Sequence, residues 1–136
     1  MAFWLMKSEP SAYSWPQFVK DKRTAWSGVR NHQAANNLRA MKAGDQALFY
    51  HSNEGVEIVG LMRIVKTAYP DPSDASGKFV MVDVAPVRAL KKPVTLVAIK
   101  ADPILKSMAM VKQSRLSVSP VTEKEWRRVQ ELAGAD

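Results

Sequence analysis

The sequence predicts an α+β fold, a small mixed β-barrel with helices packed outside it. Three observations indicate this class. Several short apolar segments of uneven length have the composition of strands, helical patterns with capping residues flank them, and Gly60 interrupts a long β-branched segment. A glycine inside a strand often marks a bulge or the corner of a barrel.

Capping residues delimit two helices in the first third of the chain. Ser14 stands before a Trp-Pro pair and predicts a helix that carries Phe18 and Val19 inward. Asn31 predicts the start of a second helix, which continues to about Met41. Apolar residues along this second helix recur at helical spacing, so one face is expected to be buried.

Strands and one further helix account for most of the remaining chain. A capping box at Thr122 opens a last helix, in which Trp126 packs inward. The two prolines of the segment 69–73 predict a loop outside any strand ladder. The predicted strands cover residues 3–7, 47–51, 56–66, 79–87 and 111–118, and short helices are expected over 95–100 and 103–108.

Length and composition predict one globular domain over residues 1–136. Hydrophobic residues make up 46% and charged residues 24%, which is ordinary for a folded domain. There is no cysteine, so disulfides and thiolate metal sites are excluded. The apolar segment 2–6 is too short for a signal peptide or a membrane span. We therefore expect a soluble, cytoplasmic, monomeric protein without a membrane partner.

The charge predicts an anionic partner. Lys and Arg number 20 against 13 Asp and Glu, a net charge of +7. A basic stripe lies between Arg88 and Arg115, with one acid, Asp102, and this distribution favours nucleic acid over a merely solvated face. The residues predicted to contact phosphates are Lys91, Lys92, Lys112 and Arg115.

The segment 26–31 concentrates groups that bind planar polar ligands. Trp26 supplies a stacking surface, Gly28 permits a tight turn, Arg30 pairs with phosphate or base acceptors, and Asn31 matches the edge of a base. The alternative is a surface turn whose tryptophan is a core residue. The basic stripe favours the binding interpretation.

Six motifs of the sequence stand out, at residues 4–10, 28–34, 36–41, 49–52, 69–71 and 114–121. Together they resemble the EVE domain family, and the resemblance extends over essentially the whole chain. It implies a PUA-like barrel, related to the YTH domain. It also implies a reader of a modified base, since the activity associated with the eukaryotic members is the reading of modified cytosine in DNA. His32 and Ser27 depart from the residues frequent in the family.

A base reader needs a stacking surface, edge contacts and phosphate contacts. We expect Trp26 to stack on the base and Glu9 to accept a hydrogen bond from an exocyclic amine. The full predicted binding set is Ser8, Glu9, Pro10, Trp26, Gly28, Val29, Arg30, Asn31, Phe49, His51, Ser52, Arg115, Leu116 and Ser117. Within it, Ser8, Asn31 and Ser117 are candidates for edge hydrogen bonds, and Arg30 and Arg115 for phosphates.

Two other functions compete with this interpretation. Ser8, His51 and Ser52 belong to a set from which a hydrolase site can be assembled, but no pattern fixes a nucleophile next to a base. His51 is equally a candidate structural group. A PUA-like module that binds RNA or tRNA without regard to modification is the third possibility. No catalytic residue, metal or cofactor is predicted.

Overall fold

The structure, a computed structural model, describes residues 1–53 and 55–134. These residues form six strands, five α-helices and a 3-10 turn over Leu105–Ser107. The strands are β1 Phe3–Ser8, β2 Thr24–Trp26, β3 Gln46–His51, β4 Glu57–Pro70, β5 Val80–Thr95 and β6 Val118–Val121. The helices are α1 Trp15–Asp21, α2 His32–Ala40, α3 Leu96–Ala101, α4 Ala109–Lys112 and α5 Glu123–Leu132.

The strands form one mixed sheet in the order β2-β5-β4-β3-β1-β6. Strands β1 and β3 are parallel, and every other neighbouring pair is antiparallel. Strands β2 and β6 are therefore the two edges of the sheet. The predicted α+β class is confirmed, whereas the predicted closure into a barrel is not confirmed.

Each face of the sheet carries its own hydrophobic core. Successive residues of a strand point to opposite faces, so Met6 and Phe49 join one cluster while Leu5 and Tyr50 join the other. Helices α1 and α2 supply Phe18 and Leu38 to the first cluster, and α5 supplies Trp126 to the second. The strands between these layers fix the positions of the loops at their ends.

The predicted helix caps are confirmed. The side chains of Ser14 and Asn31 accept hydrogen bonds from backbone amides three residues later, and both hydrogen bonds of the capping box at Thr122 form. Phe18 is fully buried as predicted, but the inward position predicted for Val19 is wrong, since this residue is 48% exposed. Val19 lies on the solvent side of the short helix α1.

Strand lengths differ from the predictions in three places. Strand β5 ends at Thr95 and not at residue 87 as predicted, because it stays paired with β4 as far as Thr95. Tyr69 and Pro70 pair with Met81 and Val80, so they belong to the end of β4 and not to a loop. A proline is tolerated at the end of a ladder, where its missing N–H breaks no central hydrogen bond. The strand predicted over 111–118 is wrong: the amide of Lys112 donates to the Met108 carbonyl, so local helical hydrogen bonds satisfy this backbone.

The pairing of β3 and β4 contains a bulge, and the ring of Trp15 packs on the strands there. The register shifts between Phe49 and Tyr50 and again around Gly60. A Cβ added at Gly60 would stand 2.5 Å from Cζ2 and Cζ3 of Trp15. Of the two alternatives that Gly60 indicated, a bulge or a barrel corner, the structure shows the bulge, and glycine is required because the indole packs directly on the strand backbone.

Candidate functional site

A cavity of about 420 Å³ opens between the end of β1, the turn that follows it, and β2. This volume is within the range of small-ligand sites. We call it the Trp26 pocket; its lining residues are Lys7, Ser8, Glu9, Ala12, Tyr13, Thr24, Ala25, Trp26 and Ser27. Three residues of the predicted binding set, distant in sequence, thus meet in one cavity, because β1 and β2 lead into its two sides.

Trp26 is both a core residue and a wall of this pocket. Its side chain is 8% exposed and packs edge-on against Phe49, with ring centroids 5.5 Å apart at 83°. In the sequence these two roles stood as alternatives. The structure combines them, since the indole packs on the core and Trp26 is also one of the residues that line the cavity.

Tyr13 is a second aromatic residue of the pocket, and it was not among the residues predicted from the sequence. Its hydroxyl donates to a carboxylate oxygen of Asp21 over 2.8 Å. Burial and this hydrogen bond raise the pKa of Tyr13 to about 12, so the phenol is neutral at physiological pH. The only sequence signal was an aromatic residue beside the predicted helix cap Ser14.

The polar side chains of the pocket differ in whether they already form hydrogen bonds within the protein. The Ser8 hydroxyl donates to the Tyr13 carbonyl over 2.6 Å. Within residues 1–53 and 55–134, the Glu9 carboxylate makes no hydrogen bond or ion pair, whereas its backbone carbonyl accepts from Ala12 and Tyr13. Glu9 therefore presents a carboxylate acceptor at the pocket, the group that binds an exocyclic amine.

Lys7 borders the pocket and was also missed. Its ammonium donates to the carbonyls of Ser114, over 2.8 Å, and Met110, over 3.3 Å. Burial lowers the pKa of Lys7. This lysine ties the pocket to the segment that precedes β6, and its signal in the sequence was a single cation near the end of an apolar strand.

The loop after Trp26 is held by Asp71. Its carboxylate, which has no solvent exposure, accepts from the Gly28 amide over 2.8 Å and from the Arg30 guanidinium over 3.3 Å, and it binds Ser73 as well. Burial opposes ionisation, but the hydrogen bonds from Ser73, Gly28 and Arg30 outweigh it and lower the pKa of Asp71 to about 2. Gly28 adopts φ +84°, which suits glycine. Arg30 is therefore already paired with a carboxylate of the protein, that of Asp71.

A second, open cavity of about 310 Å³ lies between the start of α2 and the segment before β6. We call it the α2 cleft. It brings together three residues of the predicted binding set, Asn31, Arg115 and Leu116, with the predicted phosphate contact Lys112. Its lining residues are Asn31, Gln33, Lys112, Gln113, Ser114, Arg115 and Leu116.

Other predicted residues lie outside these two cavities. Phe49 is fully buried behind Trp26, and Val29 is also buried. Pro10 is in the turn after β1, and Ser52 lines a third cavity. The Ser117 carbonyl accepts from the Lys7 amide. Lys91 and Lys92 are exposed on β5; ligand contact by any of these residues stays a prediction.

His51 has a structural partner. Its Nε2 accepts from the Trp15 amide over 3.1 Å, which requires that this nitrogen be unprotonated. Burial lowers the pKa of His51 and outweighs the opposite effect of Glu57. Ser8, its register neighbour on β1, donates to a backbone carbonyl instead. Ser8 and His51 are both bound to backbone here.

Metal-binding clusters and membrane-spanning helices are both absent from the described residues. No three or more His, Cys, Asp or Glu side chains among them gather in a way that could hold a metal ion. Among the helices of the same residues, none combines the length and apolar character needed to cross a membrane.

Comparisons with known proteins identify the family. The EVE domain model matches residues 2–132. Thymocyte nuclear protein 1 of Rattus norvegicus is 39% identical over an alignment 168 residues long, which covers 98% of this chain and 74% of that protein. An NMR structure of a Rhodopseudomonas palustris protein is 56% identical with a TM-score of 0.93, covering 98% of this chain and 94% of the other.

Two solved complexes are also similar. Human THYN1 bound to 5-methylcytosine-containing DNA is 37% identical with a TM-score of 0.86, and the match covers 100% of this chain and 99% of the human one. A YTH domain of Zygosaccharomyces rouxii, bound to N6-methyladenosine RNA, shares the fold at a TM-score of 0.60 and 18% identity, over 99% and 85% of the two chains.

One prediction requires correction. The rat, mouse and human relatives are named nuclear proteins, so the cytoplasmic location predicted from the sequence is wrong. That prediction relied on the short apolar segment at the start of the chain, which carries no information about transfer to a nucleus. The family itself is established by the match over nearly the whole chain: this protein belongs to the EVE domain family.

Proposed function

We propose that this protein binds nucleic acid and captures one modified base, methylated cytosine in DNA first among the candidates, in the Trp26 pocket. The observation that carries the proposal is the meeting of Ser8, Glu9 and Trp26 in a single cavity of about 420 Å³. The similar human protein bound to 5-methylcytosine-containing DNA supports the choice of base.

The pocket offers two of the contacts that such a base needs, a stacking surface and an acceptor for its edge. Trp26 stacks on the ring, a contact worth about 1–3 kcal/mol per base. The carboxylate of Glu9, which has no partner among the described residues, accepts a hydrogen bond from the exocyclic amine, as carboxylates do from the amino group of cytosine. Taking a base out of a duplex costs a few kcal/mol, and stacking together with phosphate contacts offsets a cost of that size.

The proposal also covers the domain organisation of the protein, its oligomeric state and the fate of its ligand. We infer a single PUA-like domain over residues 1–136 that acts as a monomer, needs no cofactor and returns its ligand unaltered. Mass spectrometry of modified oligonucleotides and free nucleosides after incubation tests the last point, with no product expected. Product formation that disappears in His51→Ala would favour the hydrolase instead.

The experiment for the reader function is a binding panel of DNA and RNA oligonucleotides, each with and without the modification. The wild-type protein is expected to bind the methylcytosine DNA more tightly than plain DNA. Glu9→Gln should weaken that binding by about 1–3 kcal/mol, while Glu131→Gln, which removes an exposed carboxylate on α5, should not change it. Equal binding of every modified and plain pair would favour the alternative of a PUA-like module without modification specificity.

A further inference from the structure

We infer that the α2 cleft binds a phosphodiester of the polynucleotide, next to the base held in the Trp26 pocket. This inference rests on the proposed function and deepens it, because it assigns the backbone contact to a site of its own. The cleft is separate from the pocket, and no lining residue is shared between the two cavities.

The charge of the cleft suits an anion. Lys112 and Arg115 both line the cleft, and no carboxylate does. Within the part of the chain that the structure describes, neither cation takes part in an ion pair. Arginine and lysine are the side chains that bind phosphate through charge-assisted hydrogen bonds. An oxyanion entering the cleft therefore meets two cations and no negative side chain.

Neutral donors accompany the two cations. The Asn31 side-chain oxygen accepts from the Ala34 amide over 2.9 Å, so its NH2 group is left as the donor. Gln33 adds another amide to the lining. The first turn of α2 holds no acidic residue, and the positive end of the helix adds to the local potential. Together these groups can donate to more than one phosphate oxygen.

The backbone segment around Arg115 is held in place by contacts on both sides of this residue. The Lys7 ammonium donates to the Ser114 carbonyl, and the Lys7 amide donates to the Ser117 carbonyl over 2.8 Å. Between these two points Leu116 is buried in the core. Because the backbone on both sides of Arg115 is held in place, a bound phosphate orders little beyond the two long side chains, which limits the entropic cost of binding.

The cleft also lies close to the pocket. Ser27 lines the pocket and Asn31 lines the cleft, and four residues span at most about 14 Å. Lys7 joins the two from the other side, since it borders the pocket and bonds to Ser114 of the cleft. For a strand whose base enters the pocket, we therefore expect the neighbouring phosphates to come within reach of Arg115 and Lys112.

The test compares two double variants that remove equal charge. One carries Lys112→Gln and Arg115→Gln; the matched control carries Lys42→Gln and Lys124→Gln, exposed cations outside the cleft and the pocket. Binding of a methylcytosine single strand is measured over a range of salt. The cleft variant should lose about 0.7 from the slope of log affinity against log salt, as expected for one phosphate contact, and the control should keep the wild-type slope. Both should retain the wild-type ratio of modified to plain affinity.

A second measurement locates the phosphate. Oligonucleotides with one neutral methylphosphonate next to the methylcytosine should bind the wild-type protein more weakly, and the cleft variant should lose nothing further from the same change. Equal salt slopes in the cleft and control variants would overturn the inference. So would a methylphosphonate that weakens binding of the cleft variant as much as it weakens binding of the wild type. Wild-type protein that binds modified and plain strands alike would contradict the proposed function instead, and the slopes would still decide the role of the cleft.

Discussion

Replacing Trp26 with alanine is expected to reduce both the stability of the fold and the preference for a modified base. The indole is 8% exposed and packs on Phe49 in the core. Removing a buried ring of this kind costs about 3–5 kcal/mol of unfolding free energy. Trp26 also lines the pocket, and if its ring stacks on the bound base as proposed, the loss of that contact costs about 1–3 kcal/mol of binding free energy.

Trp126→Ala is the matched control. Trp126 is also 8% exposed and stacks on Phe3 with centroids 4.5 Å apart, but it belongs to the other core cluster and does not line the pocket. Urea unfolding should give similar losses of stability for both variants, whereas only Trp26→Ala should lose base preference. Affinities are corrected for the folded fraction, because an incompetent fraction weakens apparent binding in proportion. A folded fraction of Trp26→Ala with wild-type preference would refute the stacking role.

The remaining predictions concern stability. Gly60→Ala drives a Cβ into the Trp15 ring and should cost about 1–3 kcal/mol or more in urea unfolding. Thr122→Ala removes the capping box and should cost about 0.5–2 kcal/mol in the same assay. Asp71 stabilises the fold when ionised, so this contribution is present above its ordinary pKa of 3.8 and is lost as the pH falls through about 2; Asp71→Asn should flatten the acid side of the stability profile.

Each of these has a clear contrary result. A Gly60→Ala protein as stable as the wild type would mean that the indole does not pack on the strand as described. An unchanged midpoint in Thr122→Ala would mean that the capping box does not stabilise α5. An acid profile of Asp71→Asn that matches the wild type would mean that the carboxylate does not hold the Gly28 loop through its ionised form.

The local features of the fold were predictable because they depend on neighbouring residues. The caps at Ser14, Asn31 and Thr122 need only a side-chain acceptor and an amide a few residues later. Gly60 indicated a bulge because a glycine weakens the interior of a strand and is usually found there where the ladder is irregular or another group approaches closely. These predictions needed no knowledge of strand order.

Features that depend on distant contacts were not predictable. The three-residue strand β2 is stabilised by pairing with β5, and its own sequence is too short to show alternation. The site is subject to the same limit: Trp26 meets Ser8 and Glu9 only because of how β1 and β2 are placed, which alternation does not specify. Asp71, between two prolines, belongs to one of the family motifs, but nothing local tied it to Gly28.

The most direct test of base capture in the Trp26 pocket is an NMR titration of the isotope-labelled protein with two oligonucleotides that differ by one methyl group on cytosine. We expect the methylated strand to shift the Trp26 indole N–H and the amides of Ser8 and Glu9 well beyond the plain strand. Signals of the α2 cleft should shift alike with both strands. Identical shifts at the pocket with methylated and plain DNA, or no shift there at all, would contradict capture of the modified base in this pocket.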